Sequence, residues 1–87
     1  MDALDGNAIG GMLYHVFGAD MTMAHAACGR CGARGHLAEC AVYLGGPGVV
    51  VRCRVCDSIL MVLVDVRETM CVDRRGLSEL ALPRTVV

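Results

Sequence analysis

Residues 28–32 read CGRCG, and the same pattern returns in altered form at residues 53–57, which read CRVCD. Each stretch contains a Cys-x-x-Cys pair, a tight turn that directs two sulfur atoms towards one point. The two pairs are separated by 21 residues, which is close to the spacing of four-cysteine zinc sites. The sequence therefore predicts one metal ion bound by four thiolates, from Cys28, Cys31, Cys53 and Cys56.

The residue that follows each pair supports this interpretation. In such a turn this residue often has a positive φ, which Gly32 adopts without steric cost. Asp57 stands at the equivalent position of the second turn, and Asp is one of the few other residues that tolerate left-handed geometry. We therefore expect the two turns to share one backbone conformation, with backbone amides donating to the sulfurs.

Disulfides and redox chemistry are the alternative uses of these cysteines. Disulfides suit small secreted chains, but the first 29 residues contain no Lys or Arg, whereas a secretory signal needs a positive start. A thioredoxin-like site needs one pair in a βαβ context, not two pairs around a hairpin. A metal site is favoured, with one Zn²⁺ per chain, and a rubredoxin-like iron centre with the same ligands is the less favoured choice.

The composition predicts one small domain that cannot easily hide all its apolar side chains. The chain has 87 residues, of which 55% are hydrophobic, yet only one Phe, two Tyr and no Trp. Small domains bury a smaller fraction of their surface than larger ones and often depend on a metal or a partner subunit. We therefore expect a homo-oligomer or a protein partner.

The charge and hydropathy patterns argue against nucleic-acid and membrane partners. The net charge is −1 at pH 7, so no broad basic field is expected to attract nucleic acid or an anionic membrane. The longest apolar run, at 59–64, is too short to span a bilayer. With neither an export signal nor a membrane segment, the chain is expected to be cytoplasmic, where thiols stay reduced.

Hydrophobic periodicity predicts a small α+β, mainly β fold, in which an N-terminal helix precedes an antiparallel zinc-ribbon sheet. The helix is expected at about 5–17, capped by Asp5 or Asn7 and ended by Gly18. Gly10 and Gly11 each cost this helix about 1 kcal/mol relative to Ala. That cost suggests close packing at the glycines, or a helix that forms only when docked.

The ribbon is expected at about 21–82, followed by a tail at 83–87, so that residues 1–87 form a single domain. Residues 36–53 are expected to form a long hairpin around a turn at 45–48. Residues 58–66 read as a strand that is buried on both faces or lies in a subunit contact. Residues 77–82 are expected to form a last short strand or a turn of helix.

The remaining cysteines and the histidines near the pairs receive ordinary structural interpretations. Cys40 and Cys71 lie among apolar neighbours and are expected to be buried, inert thiols. His25 and His36 flank the first pair and could replace a cysteine or donate to a ligand. Because four cysteines are present, we interpret both histidines as ordinary polar residues near the site.

Four arginines, at positions 30, 34, 52 and 54, cluster around the cysteine pairs. They could contact phosphates, as in nucleic-acid-binding zinc ribbons, or offset the charge of −2 that four thiolates and one divalent ion leave. Charge compensation is favoured, because a wider basic surface and stacking aromatics are missing. An enzyme is not expected, since four thiolates leave no position for water, and no small-molecule substrate is evident.

The blocks LDGNAIGGML, FGADMT, CGRCG, AVY, PGVVVRCRVC and RGLSEL resemble a family of small bacterial proteins with a zinc-ribbon domain of unknown function. The resemblance covers about residues 4–82, and its N-terminal block and FGADMT are the more specific part. It implies a cytoplasmic zinc ribbon with the four paired cysteines as ligands, and it implies no activity. The ribbon is also similar in outline to the zinc domain of the nickel-delivery chaperones of hydrogenase maturation. Their Met-His start is Met1-Asp2-Ala3 here, which argues against a nickel role.

These observations favour a structural zinc ribbon that acts as a protein-interaction module and associates with itself. The expected contact surface consists of the helix at 5–17 and the apolar strand at 58–66. A nucleic-acid-binding or transcription-accessory zinc ribbon is the first alternative. A metal carrier or a rubredoxin-like iron protein is the second.

Overall fold

The computed structural model describes residues 4–46 and 48–82. A helical segment at the N-terminus is followed by two antiparallel sheets, so the chain is mainly β with a small α+β organisation. The predicted fold class is therefore confirmed, although the strands form two sheets where one was expected. The predicted tail at 83–87 lies outside the described residues.

The helical segment has the predicted bounds but two conformations. A 3₁₀ helix at Gly6–Ile9 leads into α1 at Gly10–Phe17. Asp5 is the cap, since its Oδ1 accepts a hydrogen bond of 3.1 Å from the amide of Asn7. Gly18 ends α1 with a left-handed φ of 73°. The apolar face of this segment lies against the core, because Ile9 and Leu13 are buried and Met12, Val16 and Phe17 pack against the core.

The two helix glycines have different surroundings. A Cβ atom added at Gly10 would lie 3.2 Å from Cγ2 of Thr22, which is a tight contact. A Cβ added at Gly11 would meet no atom within 4 Å. Close packing therefore accounts for Gly10, but the same expectation is wrong for Gly11.

The strands are, in chain order, β1 Leu4–Asp5, β2 His25–Cys28, β3 Arg34–His36, β4 Ala41–Gly45, β5 Gly48–Arg52, β6 Ile59–Val66, β7 Thr69–Asp73 and β8 Leu77–Ala81. The larger sheet has the order β1-β4-β5-β6-β7, and the smaller sheet has the order β3-β2-β8. The chain crosses between the sheets after β1, after β3 and after β7. Residues 77–81 are thus a strand, the first of the two predicted alternatives.

The predicted hairpin at 36–53 is shorter than expected. Its first strand begins only at Ala41, because Leu37–Glu39 form a 3₁₀ helix. The amide of His36 donates to Oε1 of Glu39 at 2.8 Å, which stabilises the start of this short helix. His36 is the last residue of β3, and β3 pairs with β2 and not with β5.

The core lies between α1, the 3₁₀ helices and the inner faces of the sheets. Its most fully buried large side chains are Leu13, Leu37, Met61, Leu63, Val42 and Val51. Strand β6 lies between β5 and β7, and its consecutive residues Leu60 and Met61 are both buried. The pairing with β5 has a bulge at this point, since Val51 pairs with Met61 and Arg52 pairs with Ile59. Burial of β6 is therefore limited to part of the strand, because Ile59 is exposed and Val62 and Val64 are only partly buried. Within the described residues, no helix is long and apolar enough to cross a membrane.

Candidate metal centre

Each cysteine pair belongs to a different sheet. Cys28 is the last residue of β2, and Cys31 lies in the turn towards β3. Cys53 directly follows β5, and Cys56 lies in the turn that leads to β6. The two turns meet, so the four predicted residues form one cluster that spans both sheets.

The sulfur positions fit a single tetrahedral ion. All four Sγ atoms lie within 4.8 Å of one another. The separation is 3.7 Å between Cys28 and Cys56, and 3.6 Å between Cys31 and Cys53. A tetrahedron with metal–sulfur bonds of about 2.3 Å has edges of about 3.8 Å. A disulfide needs about 2.05 Å, and all six cysteines are free, so the donor set suits a metal ion.

The two turns have the same backbone conformation, as predicted. The amide of Gly32 donates to the carbonyl of Cys28 at 3.0 Å, and the amide of Asp57 donates to that of Cys53 at 2.9 Å. The φ angles of Gly32 and Asp57 are 79° and 63°, both left-handed. The second turn thus reproduces the first although it lacks the glycine.

Backbone amides donate to the sulfurs in both turns. The amides of Arg30 and Val55 each lie 3.4 Å from the sulfur of the first cysteine of their own pair. The amide of Ala33 lies 3.5 Å from the sulfur of Cys31. Such donors favour the thiolate form that a metal ion requires.

Ser58 adds a donor that sequence reasoning missed. Its Oγ lies 3.0 Å from the sulfur of Cys56 and 3.3 Å from that of Cys28, so it bridges the two pairs. The hydroxyl of Ser58 and the amide of Cys31 lower the pKa of Cys28 to about 6. The only sequence signal for this role was the position of Ser58, two residues after Cys56, as Ala33 is two residues after Cys31.

The pKa values of Cys28 and Cys31 are shifted in opposite directions. The amide of Ala33 lowers the pKa of Cys31, but burial and the sulfurs of Cys53 and Cys56 outweigh it and raise that pKa to about 12. One sulfur therefore favours the thiolate while a neighbour favours the thiol. A divalent cation removes this conflict, because it stabilises every coordinated thiolate.

The arginines near the cluster mostly contact protein groups. Arg34 forms an ion pair with Glu79 across the smaller sheet. Nη1 of Arg52 donates to the carbonyl of Asp57 at 2.9 Å. Among the described residues, no guanidinium group hydrogen-bonds to a sulfur, so the sulfurs take their direct donors from amides and from Ser58. Arg34 therefore stabilises the smaller sheet and Arg52 the second turn, and neither contacts the sulfurs.

Of these four arginines, Arg54 contacts the residue that is farthest away in the sequence. Its Nε donates to the carbonyl of Glu39 at 2.7 Å, and its Nη2 donates to the carbonyl of Leu4 at 3.3 Å. The second turn is thereby fastened to the first strand and to the 3₁₀ helix before β4. Three of the four arginines are thus engaged within the chain, which leaves Arg30 with an exposed side chain in the first turn.

The other cysteines and the histidines lie outside the sulfur cluster. Cys40 is partly buried, and burial raises its pKa to about 11, in agreement with an inert thiol. Cys71 is exposed, so its predicted burial is wrong, because β7 is an edge strand. His25 and His36 are paired across β2 and β3 with ring centroids 5.0 Å apart.

The fold and this cluster define a class: a small, mainly β protein in which two Cys-x-x-Cys turns from separate sheets converge on one point. Within that class, the chain belongs to DUF6510, a family of unknown function, which it matches over residues 1–85. The expected membership of an unknown-function family is thus confirmed over nearly the whole chain. Comparisons with curated proteins and with solved structures gave no match.

Proposed function

We propose that this chain is a structural zinc ribbon that serves as a protein-association module and associates first with itself. The observation that carries the proposal is the convergence of four sulfurs, two from each sheet, at tetrahedral spacing. A zinc ion bound there would supply a rigid cross-link between the sheets. The reducing cytoplasm, which keeps the thiols available, is the proposed location.

The position of the sulfurs supports a structural role for the metal. Cys28 and Cys53 are buried and belong to the apolar core, whereas Cys31 and Cys56 lie at the surface. Loss of the ion would therefore disturb the core as well as the turns. Four thiolates leave no coordination position for water, so the proposal includes no catalytic activity.

Exposed apolar side chains support the association role. The large hydrophobic residues that remain exposed are Leu4, Tyr14, Met23, Tyr43, Leu44, Val55, Ile59, Val66, Val72 and Leu82. Leu60, Met61 and Leu63 of the expected contact strand are buried in the chain's own core. The proposed association surface is therefore found at the sheet edges and outer faces. Nucleic-acid binding is not proposed, because three of the four clustered arginines are engaged within the chain.

Metal analysis of natively purified protein tests the proposal. We expect one zinc per chain and no visible absorption, whereas a coloured protein with iron would contradict the zinc assignment. Cys28→Ser should lose the metal, and Cys71→Ser should retain it because Cys71 lies outside the cluster. Equal metal content in the two variants would refute the site. Light scattering of the metal-loaded protein tests self-association, and a strict monomer would count against it.

A further inference from the structure

The larger sheet ends at β7, and no other strand pairs with the outer edge of β7 among residues 4–46 and 48–82. Unpaired amides and carbonyls on a sheet edge are a template for another chain, and proteins usually protect them with Lys, Pro or a bulge. The sequence of β7, TMCVD, contains neither Lys nor Pro. Its pairing with β6 is regular throughout. Within the described residues, the outer edge of β7 is therefore unpaired.

The hairpin geometry shows which groups of β7 point outwards. Arg67 and Glu68 form its two-residue turn, and their φ values of 51° and 66° correspond to type I′. The residues that flank such a turn form a hydrogen-bonded pair, and bonded and non-bonded pairs then alternate along the ladder. Met70 and Val72 fall in the non-bonded pairs. Their amides and carbonyls are therefore directed away from β6.

We propose that β7 pairs in antiparallel fashion with β7 of a second copy, about a two-fold axis at Cys71. This inference rests on the proposed self-association and names its surface. Met70 of each copy would exchange two backbone hydrogen bonds with Val72 of the other. Cys71 would face its own counterpart as a non-bonded pair. The two larger sheets then become one continuous sheet.

This register is the one that fits the strand and its charges. With the axis at Cys71, all five residues of β7 are paired, and Asp73 faces Thr69 of the second copy. Just beyond the strand, Arg74 faces Glu68 of the second copy, twice by symmetry. Both side chains are exposed, and opposite charges at facing positions are favourable. Arg75, whose counterpart is Arg67, is already paired with Asp73 at 2.7 Å.

The other sheet edges fit a second copy less well. Strand β8 has the same length, but an axis at its centre would place Glu79 opposite Glu79, and like charges at facing positions are destabilising. Glu79 is also engaged with Arg34. Strands β1 and β3 have only two and three residues. The edge of β7 is therefore the favoured interface.

An apolar surface continues inwards from this edge. Val50 pairs with Val62, and Val64 pairs with Cys71, on the face of the larger sheet opposite the core. We call the three valines of this set the valine face. All three are only partly buried, and none belongs to the core cluster. In the proposed dimer the two valine faces lie side by side across the axis, as one larger apolar surface.

A charge exchange between Arg74 and Glu68 tests the pairing. They are six positions apart along an extended strand, or about 20 Å at 3.3 Å per residue, so they cannot meet within one chain. In the metal-loaded protein at low salt, Arg74→Glu should raise the dimer dissociation constant about tenfold, because two attractive pairs become repulsive. Glu68→Arg should do the same. The double variant should restore the wild-type constant, as measured by sedimentation equilibrium.

A second pair of variants tests the edge itself. Val72→Pro removes an outward amide without removing a bond to β6, and should abolish the dimer while metal content and circular dichroism remain unchanged. Val72→Ala keeps the amide and should keep the dimer. A different result would overturn this inference: the double charge variant fails to restore the dimer, and Val62→Lys disrupts it. That result would place the interface on the valine face and would leave the proposed self-association intact. A metal-loaded monomer would overturn both.

Discussion

At the scale of single residues, the centre depends on groups that hold the sulfurs as well as on the sulfurs themselves. Ser58 is the clearest example, since its hydroxyl contacts one cysteine from each pair. A hydroxyl has one hydrogen to donate, so in this position it stabilises negative charge on one or the other sulfur and helps to fix their relative orientation. The affinity for the ion should therefore respond to a residue that does not bind it.

Ser58→Ala should lower the zinc affinity about tenfold, the lower end of the usual effect of residues that support metal ligands. Competition with a coloured zinc chelator measures this change. Ser78→Ala is a matched control, because the hydroxyl of Ser78 donates to the carbonyl of Ala27 and not to a sulfur. Equal affinities for the two variants would show that Ser58 does not support the centre.

Gly76 illustrates a residue for which any side chain is excluded. A Cβ atom there would lie 1.9 Å from the carbonyl oxygen of Ile59 and 2.7 Å from Cα of Leu60. The carbonyl of Gly76 also accepts a hydrogen bond from the amide of Gly29 in the first turn. The turn between β7 and β8 is thus packed directly against the start of β6 and against the metal centre.

Gly76→Ala should lower the free energy of unfolding by about 3 kcal/mol or more, because the clash is with backbone atoms that cannot move independently. Urea denaturation of the metal-loaded protein measures the loss. Gly45→Ala should have an effect within about 0.5 kcal/mol, since a Cβ there meets no atom within 4 Å. A Gly76→Ala variant as stable as Gly45→Ala would contradict the close approach.

At the scale of elements, helix α1 has a glycine that packing does not require. Gly11 is exposed, and a Cβ there would meet no atom. We therefore expect Gly11→Ala to raise the free energy of unfolding by about 1 kcal/mol, through helix propensity. Thermal and urea denaturation measure the gain. Gly18→Ala should instead destabilise, because the backbone there is left-handed, and a stabilising Gly18→Ala would contradict the observed helix end.

Elements defined by local backbone chemistry could be predicted from the sequence, and those defined by distant contacts could not. The end of α1 at Gly18 and the matching turns at Gly32 and Asp57 follow from residues that accept a positive φ. The 3₁₀ helix at Leu37–Glu39 interrupts an apparently strand-like pattern. Its backbone is held by distant residues, since the amide of Leu37 donates to the carbonyl of Ala24 at 3.0 Å.

The same distinction between local backbone chemistry and distant contacts applies to the candidate site. The four cysteines could be predicted as a set because their spacing alone requires two converging turns. The contribution of Ser58 could not, since it depends on how the two turns approach each other. The exposure of Cys71 was also missed, because apolar neighbours along a strand do not reveal that the strand lies at an edge.

At the scale of the whole molecule, the four-cysteine cluster brings together two sulfurs from a turn of each sheet. Removal of zinc with a strong chelator should therefore abolish cooperative thermal unfolding, because metal binding and folding are coupled in small sites of this kind. Acidification should have the same effect, since protons compete with the ion for the thiolates. Calorimetry with and without metal checks this, and an unchanged transition after complete zinc removal would contradict a structural role.

The hydrogen bond between Arg54 and Leu4 connects the second cysteine turn to strand β1. The side chain of Arg54 lies inside the second cysteine turn, yet it donates a hydrogen bond to the carbonyl of Leu4, which is 50 residues earlier in the sequence. We therefore expect the order of strand β1 to depend on whether the four-cysteine cluster holds a metal ion. We expect removal of the ion to speed hydrogen exchange at the amides of Leu4 and Asp5, and an exchange rate that is unchanged by metal removal would contradict this coupling.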